Sequence, residues 1–311
     1  MEVIFNVQPL PVWDWRVASD LYFGGMGVGT FLFAVLADWH FGGKQKQLCR
    51  TAAYLSPFLV IFGEILLMAK LGHPSSVFYL FLSFHPGSAI WWGAWLQLIF
   101  VAGAFVYAFW WEDESKEVAR HRLGWALSPL ALSVGAYHGF LLTTFEVRAL
   151  WSGSTVVASI LAFVTTGMAI TLVVHLWRSR REGRMHGEQL GDFLHEIHEI
   201  RYLVGVTIMT ELFVFAVWWL SLKAGNAAEQ AALAAANAAF GPIFWSLGIG
   251  LGLILPLLVG LGVVLKRPEL PASVEINSIW ATSVMILLGG FVIRWGIVLG
   301  GQAGTLNMNL G

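Results

Sequence analysis

Five ionisable side chains fall inside stretches otherwise built of Leu, Val, Ile, Phe, Ala and Gly: Asp20, Asp38, Glu64, Glu211 and Arg294. A charge deep in hydrocarbon costs roughly 2.5 to 3.5 kcal/mol on insertion scales, so each of these marks a candidate functional position. Glu64 and Glu211, near the middles of their apolar runs, are the residue type that relays protons through hydrocarbon, and the plainer reading of each is a neutral or paired packing group. Arg294 is the counter-charge that a buried Glu211 or Asp20 needs. Asp38, with His40 close by, falls at the far end of the first run, where a headgroup-level role is the plainer reading and a place in a proton pathway the sharper one.

Neutral hydrogen-bonding groups add a second kind of chemistry. In GAYHGFLLTTFEVRALW (135–151), Tyr137 and His138 offer a phenol and an imidazole inside an apolar run, the donors that suit a quinone carbonyl. Tyr at that depth is also an ordinary interfacial belt residue, and on these residues alone the belt reading stands. His85 lies in FLSFHPGSAIWWGAW (81–95), where Pro86 and Gly87 break the chain and Trp91, Trp92 and Trp95 mark a membrane–water boundary. Nine His invite a haem reading, because His pairs on spanning helices ligate haem, but four axial ligands in two layers do not assemble from the helix interiors. No haem is expected, although counting alone leaves room for one of b type. The single Cys, Cys49, excludes an internal disulfide and any all-Cys iron–sulfur or zinc site, and no metal site is read. An iron–sulfur relay would have to sit in another protein.

The elements that position these groups follow from composition. At 57% hydrophobic and 12% charged, with a mean hydropathy of +0.71, the 311 residues have too little polar surface for a soluble globule. A net charge of -1 gives no support for nucleic-acid binding. The fold class expected is an all-α integral membrane protein of eight transmembrane helices near 17–40, 51–71, 89–111, 123–146, 153–177, 201–222, 241–265 and 278–300, arranged as two four-helix bundles. The division falls into an N-terminal half, 1–150, carrying the candidate quinone site, and a C-terminal half, 151–311. Gly-rich runs such as Gly24–Gly29 and Gly248–Gly262 let helix backbones approach closely where lipid provides no hydrophobic drive for association.

Thirteen of the 18 Lys and Arg fall on the odd-numbered loops and their helix ends, against five elsewhere, so both termini and the 81–95 string are expected on the non-cytoplasmic side. MEVIFNVQPLPVWDW lacks the regions of a cleaved signal peptide, and the first span is expected to direct insertion. KAGNAAEQAALAAANAAF reads as a short Ala-rich helix on the outer face, a docking surface or a plain cap. The charge run from Arg178 to Glu199 reads as a solvated cytoplasmic loop.

Four segments together resemble the NrfD-like family, the membrane subunits of polysulfide reductase and its relatives: WDWRVASDLYFGGMGVGTFLFA in the first helix, KLGHP after the second, HPGSAIWWGAW opening the third, and GGFVIRWGIVLGGQ in the eighth. The resemblance implies a haem-free, multi-pass subunit of the inner (cytoplasmic) membrane that binds menaquinone or ubiquinone near the outer face. It implies electron exchange with an iron–sulfur subunit docked on the non-cytoplasmic side, which serves a molybdopterin catalytic subunit, as in anaerobic respiration. By motif position Asp20 and Tyr137 match family head-group residues; the reading of the residues themselves adds His85 and His138 nearby and a proton pathway of Glu64, Glu211, Asp38 and Arg294. The sequence departs from the family's best-known member, which resembles it at the Tyr but has His where Asp20 stands and Asn where Val17 stands. Lys70 replaces the Asp of the family's usual DLGRP. Two other classes remain: a structural tether without a redox site of its own, and a proton- or ion-translocating transporter, which would want broken-helix pairs at the midplane.

Overall fold

The computed structural model describes residues 13–41, 45–70, 73–143, 148–151, 153–185, 189–266 and 270–306. Residues 1–12, Lys44, Leu71, Gly72, 144–147 and Arg267, which entered the sequence reading, lie outside the described residues. Among the described residues the regular structure is helical: α1 (Trp15–Phe41), α2 (Lys46–Met68), the one-turn α3 (Tyr79–Leu82), α4 (Ala89–Phe109), α5 (Glu117–Thr143), α6 (Gly153–Arg181), α7 (Gln189–Ala224), α8 (Ala227–Ile243), α9 (Leu255–Lys266) and α10 (Ala272–Leu306). Eight of the resulting helical spans are long and apolar enough to cross a membrane, α8 and α9 counting as one.

The burial pattern fits such a setting. Large apolar side chains such as Phe213, Leu220, Leu258 and Leu265 face outward, as they do where the surroundings are hydrocarbon. The middle of the molecule is α1, which is buried along nearly its whole length and lies against α2, α5, α6 and α10. Its glycines explain the closeness. A Cβ on Gly29 would run into the backbone of Phe163, and one on Gly167 would meet the backbone of Gly29, so α1 and α6 cross with no side chain between them. Gly252 and Gly289 do the same for the α8–α9 span and α10.

Between α8 and α9, Phe244–Ile254 (FWSLGIGLGLI) winds in wide π-type turns. The Ala-rich segment is therefore helical, as read, but it is no separate cap: α8 is the leading part of the seventh span. Its start is fixed by a capping box in which the Asn226 side chain accepts from the Glu229 N–H (3.0 Å) and Glu229 accepts from the Asn226 N–H (2.8 Å).

The charge run 178–199 differs from the reading more sharply. Helix α6 continues to Arg181 and α7 begins at Gln189, because Phe193, Ile197 and Ile200 fall at helical spacing and are buried in the core. On α7 Asp192 is exposed and Glu199 half-buried, while Glu196 pairs with buried His175 at 3.2 Å.

Candidate functional site

Four helices bring their polar residues together at one end of the bundle. Asp20 is five residues into α1, or about 8 Å along its axis. Glu64 is four residues from the end of antiparallel α2, Gln97 stands in the first half of α4, and Tyr137 and His138 are near the end of α5. Asp20, Glu64 and His138 each point one ligand-type atom into a common space, with these atoms within 4.8 Å of one another. Asp20 and His138 are each only 1% exposed. The Gln97 amide lies 3.3 Å from His138 Nε2. Tyr137 is within electrostatic reach of both carboxyls.

Glycine makes room for this convergence. A Cβ on Gly24 would stand 3.1 Å from the His138 ring, one on Gly63 would stand 3.1 Å from Asp20 Oδ1, and one on Gly93 would fall inside the Tyr137 ring. The polar atoms are left expectant. Asp20 Oδ1, Glu64 Oε1 and His138 Nδ1 are buried without a hydrogen-bond partner among the described residues, as are the indole N–H groups of Trp91 and Trp95 at the head of α4. Buried polar atoms left unsatisfied cost of order 1 to 3 kcal/mol each, so a cluster of them marks a place made for something else to bind.

The other candidates fall elsewhere. His85 is exposed in the break before α4, where Ser88 caps the helix by accepting from the Trp91 N–H (3.4 Å) and the Trp92 indole donates to the Pro86 carbonyl (2.8 Å). Glu211 on α7 is buried facing Thr165 on α6 and lies within electrostatic reach of Arg294 on α10. Phe163 separates this pair from the carboxyl cluster: the Arg294 guanidinium lies 4.5 Å over its ring, and the His138 ring meets its edge at 6.0 Å. Asp38 sits 18 residues, about 27 Å, along α1 from Asp20. There it receives Arg120 Nε at 3.3 Å and His121 Nε2 at 2.8 Å, while Arg120 stacks 3.7 Å over Trp111.

Gln302, which closes the GGFVIRWGIVLGGQ segment, also has a visible task. It accepts from the Trp13 N–H (3.1 Å) and donates to the Trp13 carbonyl (2.8 Å), stitching the end of α10 to the second residue before α1. Across residues 2–305 the sequence matches the family described as polysulphide reductase, NrfD. The protein belongs to the NrfD family. Among its relatives are Protein NrfD of Escherichia coli, 27% identical over 328 aligned positions that cover 96% of this sequence and 97% of that one, and the C subunit of polysulfide reductase from Wolinella succinogenes, 23% identical with 94% of each covered. The Protein NrfD homolog of Haemophilus influenzae is 24% identical, the alignment covering 94% of this sequence and 95% of its own. As a member of the NrfD family the protein is a multi-pass membrane component of redox assemblies, which agrees with its eight apolar spans.

Proposed function

We propose that this NrfD-family protein is the quinone-reactive membrane subunit of a multi-subunit oxidoreductase, exchanging electrons between menaquinone or ubiquinone and an iron–sulfur subunit. The head-group is held at the Asp20, Glu64, Tyr137 and His138 cluster. The observation that carries the reading is the convergence of two carboxyls and an imidazole within 4.8 Å, each with a buried polar atom lacking a partner among the described residues, beside a tyrosine.

A quinone supplies two-electron chemistry that must be balanced by two protons, and the side chains here are those that handle protons. The Tyr137 phenol and the His138 imidazole hold a ring carbonyl by hydrogen bonding. Asp20 exchanges a proton at Oδ1, and Glu64, close enough to act on Asp20 electrostatically, is the next carrier. Gln97, 3.3 Å from His138 Nε2, orients the imidazole. Glu64 is only half-buried, which gives this pair its route to the surface at the same end of the bundle, where exposed His85 lies. Glu211 with Arg294, and Asp38 at the opposite end, are the groups for proton transfer through the remaining thickness, with Phe163 as the apolar divide.

The setting follows from kin and charge. The Wolinella relative is named as one component of a polysulfide reductase, which supports a partner arrangement of an iron–sulfur electron-transfer subunit and a molybdopterin catalytic subunit. We place them on the non-cytoplasmic side of the inner membrane, against the end of the bundle that carries the cluster, in the half formed by residues 1–150. In membranes holding the assembled complex, Tyr137→Phe and Asp20→Asn are expected to lower quinol-linked turnover about 100-fold while the subunits still co-purify. Unchanged turnover in both would leave only the tether.

A further inference from the structure

The same cluster has the composition of a metal site, and we propose that Asp20, Glu64 and His138 form a binding site for a divalent transition ion, with zinc as the fitting representative. Two carboxylates and one imidazole are donors that zinc accepts, at about 2.0 to 2.2 Å each. Ligand atoms around a tetrahedral zinc stand about 3.3 Å apart, so a set already within 4.8 Å closes by side-chain rotation without moving a helix. Each of the three residues brings an atom with no hydrogen-bond partner among the described residues. The charge also balances, since two ionised carboxylates match a double positive charge and leave the buried site neutral, whereas either alone is costly in hydrocarbon.

The donor set argues against the hard ions. Calcium and magnesium take six or more oxygens and do not favour imidazole, while zinc, copper and iron do. His138 is held by the Gln97 amide at 3.3 Å from Nε2 and by the Phe163 ring, centroids 6.0 Å apart; with Nδ1 on the ion, the Gln97 side chain turns its amide oxygen to accept from Nε2–H, the outer contact that sets a metal-binding imidazole. The consequence for turnover rests on the quinone reading. An ion held there takes the atoms that would otherwise hold the head-group and its protons, making zinc a reversible inhibitor. The binding itself needs no quinone.

The test is equilibrium zinc binding to the full-length protein purified in detergent, free of quinone, measured by competition with a fluorescent chelator. One zinc per molecule is expected at micromolar concentration, with affinity falling at least ten-fold in Glu64→Gln and in His138→Gln and staying unchanged in His195→Asn, which alters an exposed histidine elsewhere. X-ray absorption of the zinc-loaded wild-type protein guards against variants that fold poorly: an oxygen and nitrogen shell with a single imidazole is expected. Absence of stoichiometric binding, affinity unaltered in both cluster variants, or a shell containing sulfur or several imidazoles would each overturn the site, and none of these results bears on whether a quinone binds there.

Discussion

Gly93 decides where Tyr137 can stand. The position faces the tyrosine ring so closely that a single methyl would fall inside it, and the obstructing group is a side chain that can swing rather than a backbone that cannot. Gly93→Ala is therefore expected to leave α4 and complex assembly intact and to displace the phenol, bringing quinol-linked turnover down about 10-fold or more, towards the level of Tyr137→Phe. Turnover at the wild-type rate in Gly93→Ala would show that the position of this phenol does not matter. Residues of this kind also mark what could be read without the fold. Asp20, Tyr137 and His138 stand out by residue type in apolar runs, and the structure brings them together. Glu64 reads from sequence as a mid-span relay, because nothing local reveals that α2 ends at Met68 and sets it beside Asp20. Gln97 and Gly93 escape altogether: an uncharged amide in an apolar run carries little signal, and a glycine's importance lies in what faces it.

Helix ends carry their own chemistry, and the junction of α1 with α2 shows it. Asp14, just before α1, receives Arg16 at 2.8 Å and Lys70, two residues beyond α2, at 3.1 Å, while Arg16 also donates to the Ala69 carbonyl at 2.8 Å. The lysine that reverses the family's usual acid thus has an acid of its own to meet. Partial burial works against the Asp14 charge, but the hydrogen bonds from Arg16 and Lys70 outweigh it and hold the carboxyl at about 2, below its ordinary 3.8. A carboxyl lowered on folding contributes stability above its unfolded value and loses it as pH falls through the folded one. Asp14→Asn should cost about 1 kcal/mol at neutral pH, the group being partly solvated, and the difference from wild type should close between about pH 4 and pH 2, followed by tryptophan fluorescence on thermal unfolding. A gap independent of pH would show that the charge is not what Asp14 contributes. The spans themselves were legible, since hydrophobic length is a one-dimensional property. The helical ends of the 178–199 run, with α6 reaching Arg181 and α7 starting at Gln189, and the merging of the Ala-rich helix into the seventh span were not, because they depend on which face of a charged or small-residue stretch finds a core, and Phe193, Ile197 and Ile200 find one.

Whole-molecule polarity gives the proposed function its direction. The carboxyl cluster and the Asp38 pairings occupy opposite ends of α1, and the proposed orientation, argued from the 13-to-5 bias of basic residues, sets the Asp38 end at the cytoplasm. In that proposal electron exchange and any zinc entry lie on the outer side, beside the exposed break at His85, with the proposed groups for transmembrane proton transfer below. One native cysteine simplifies the measurement, for Cys49 is buried and reacts poorly with bulky reagents. With Cys49→Ser as background, His85→Cys should react with a membrane-impermeant maleimide in intact spheroplasts. Ser115→Cys, exposed at the opposite end, should react only after the membrane is opened. The reverse pattern would put the cluster on the cytoplasmic side and move the redox partners with it. The buried chemistry would stand, since the convergence of Asp20, Glu64, Tyr137 and His138 is a property of helix packing and does not depend on which way the bundle faces.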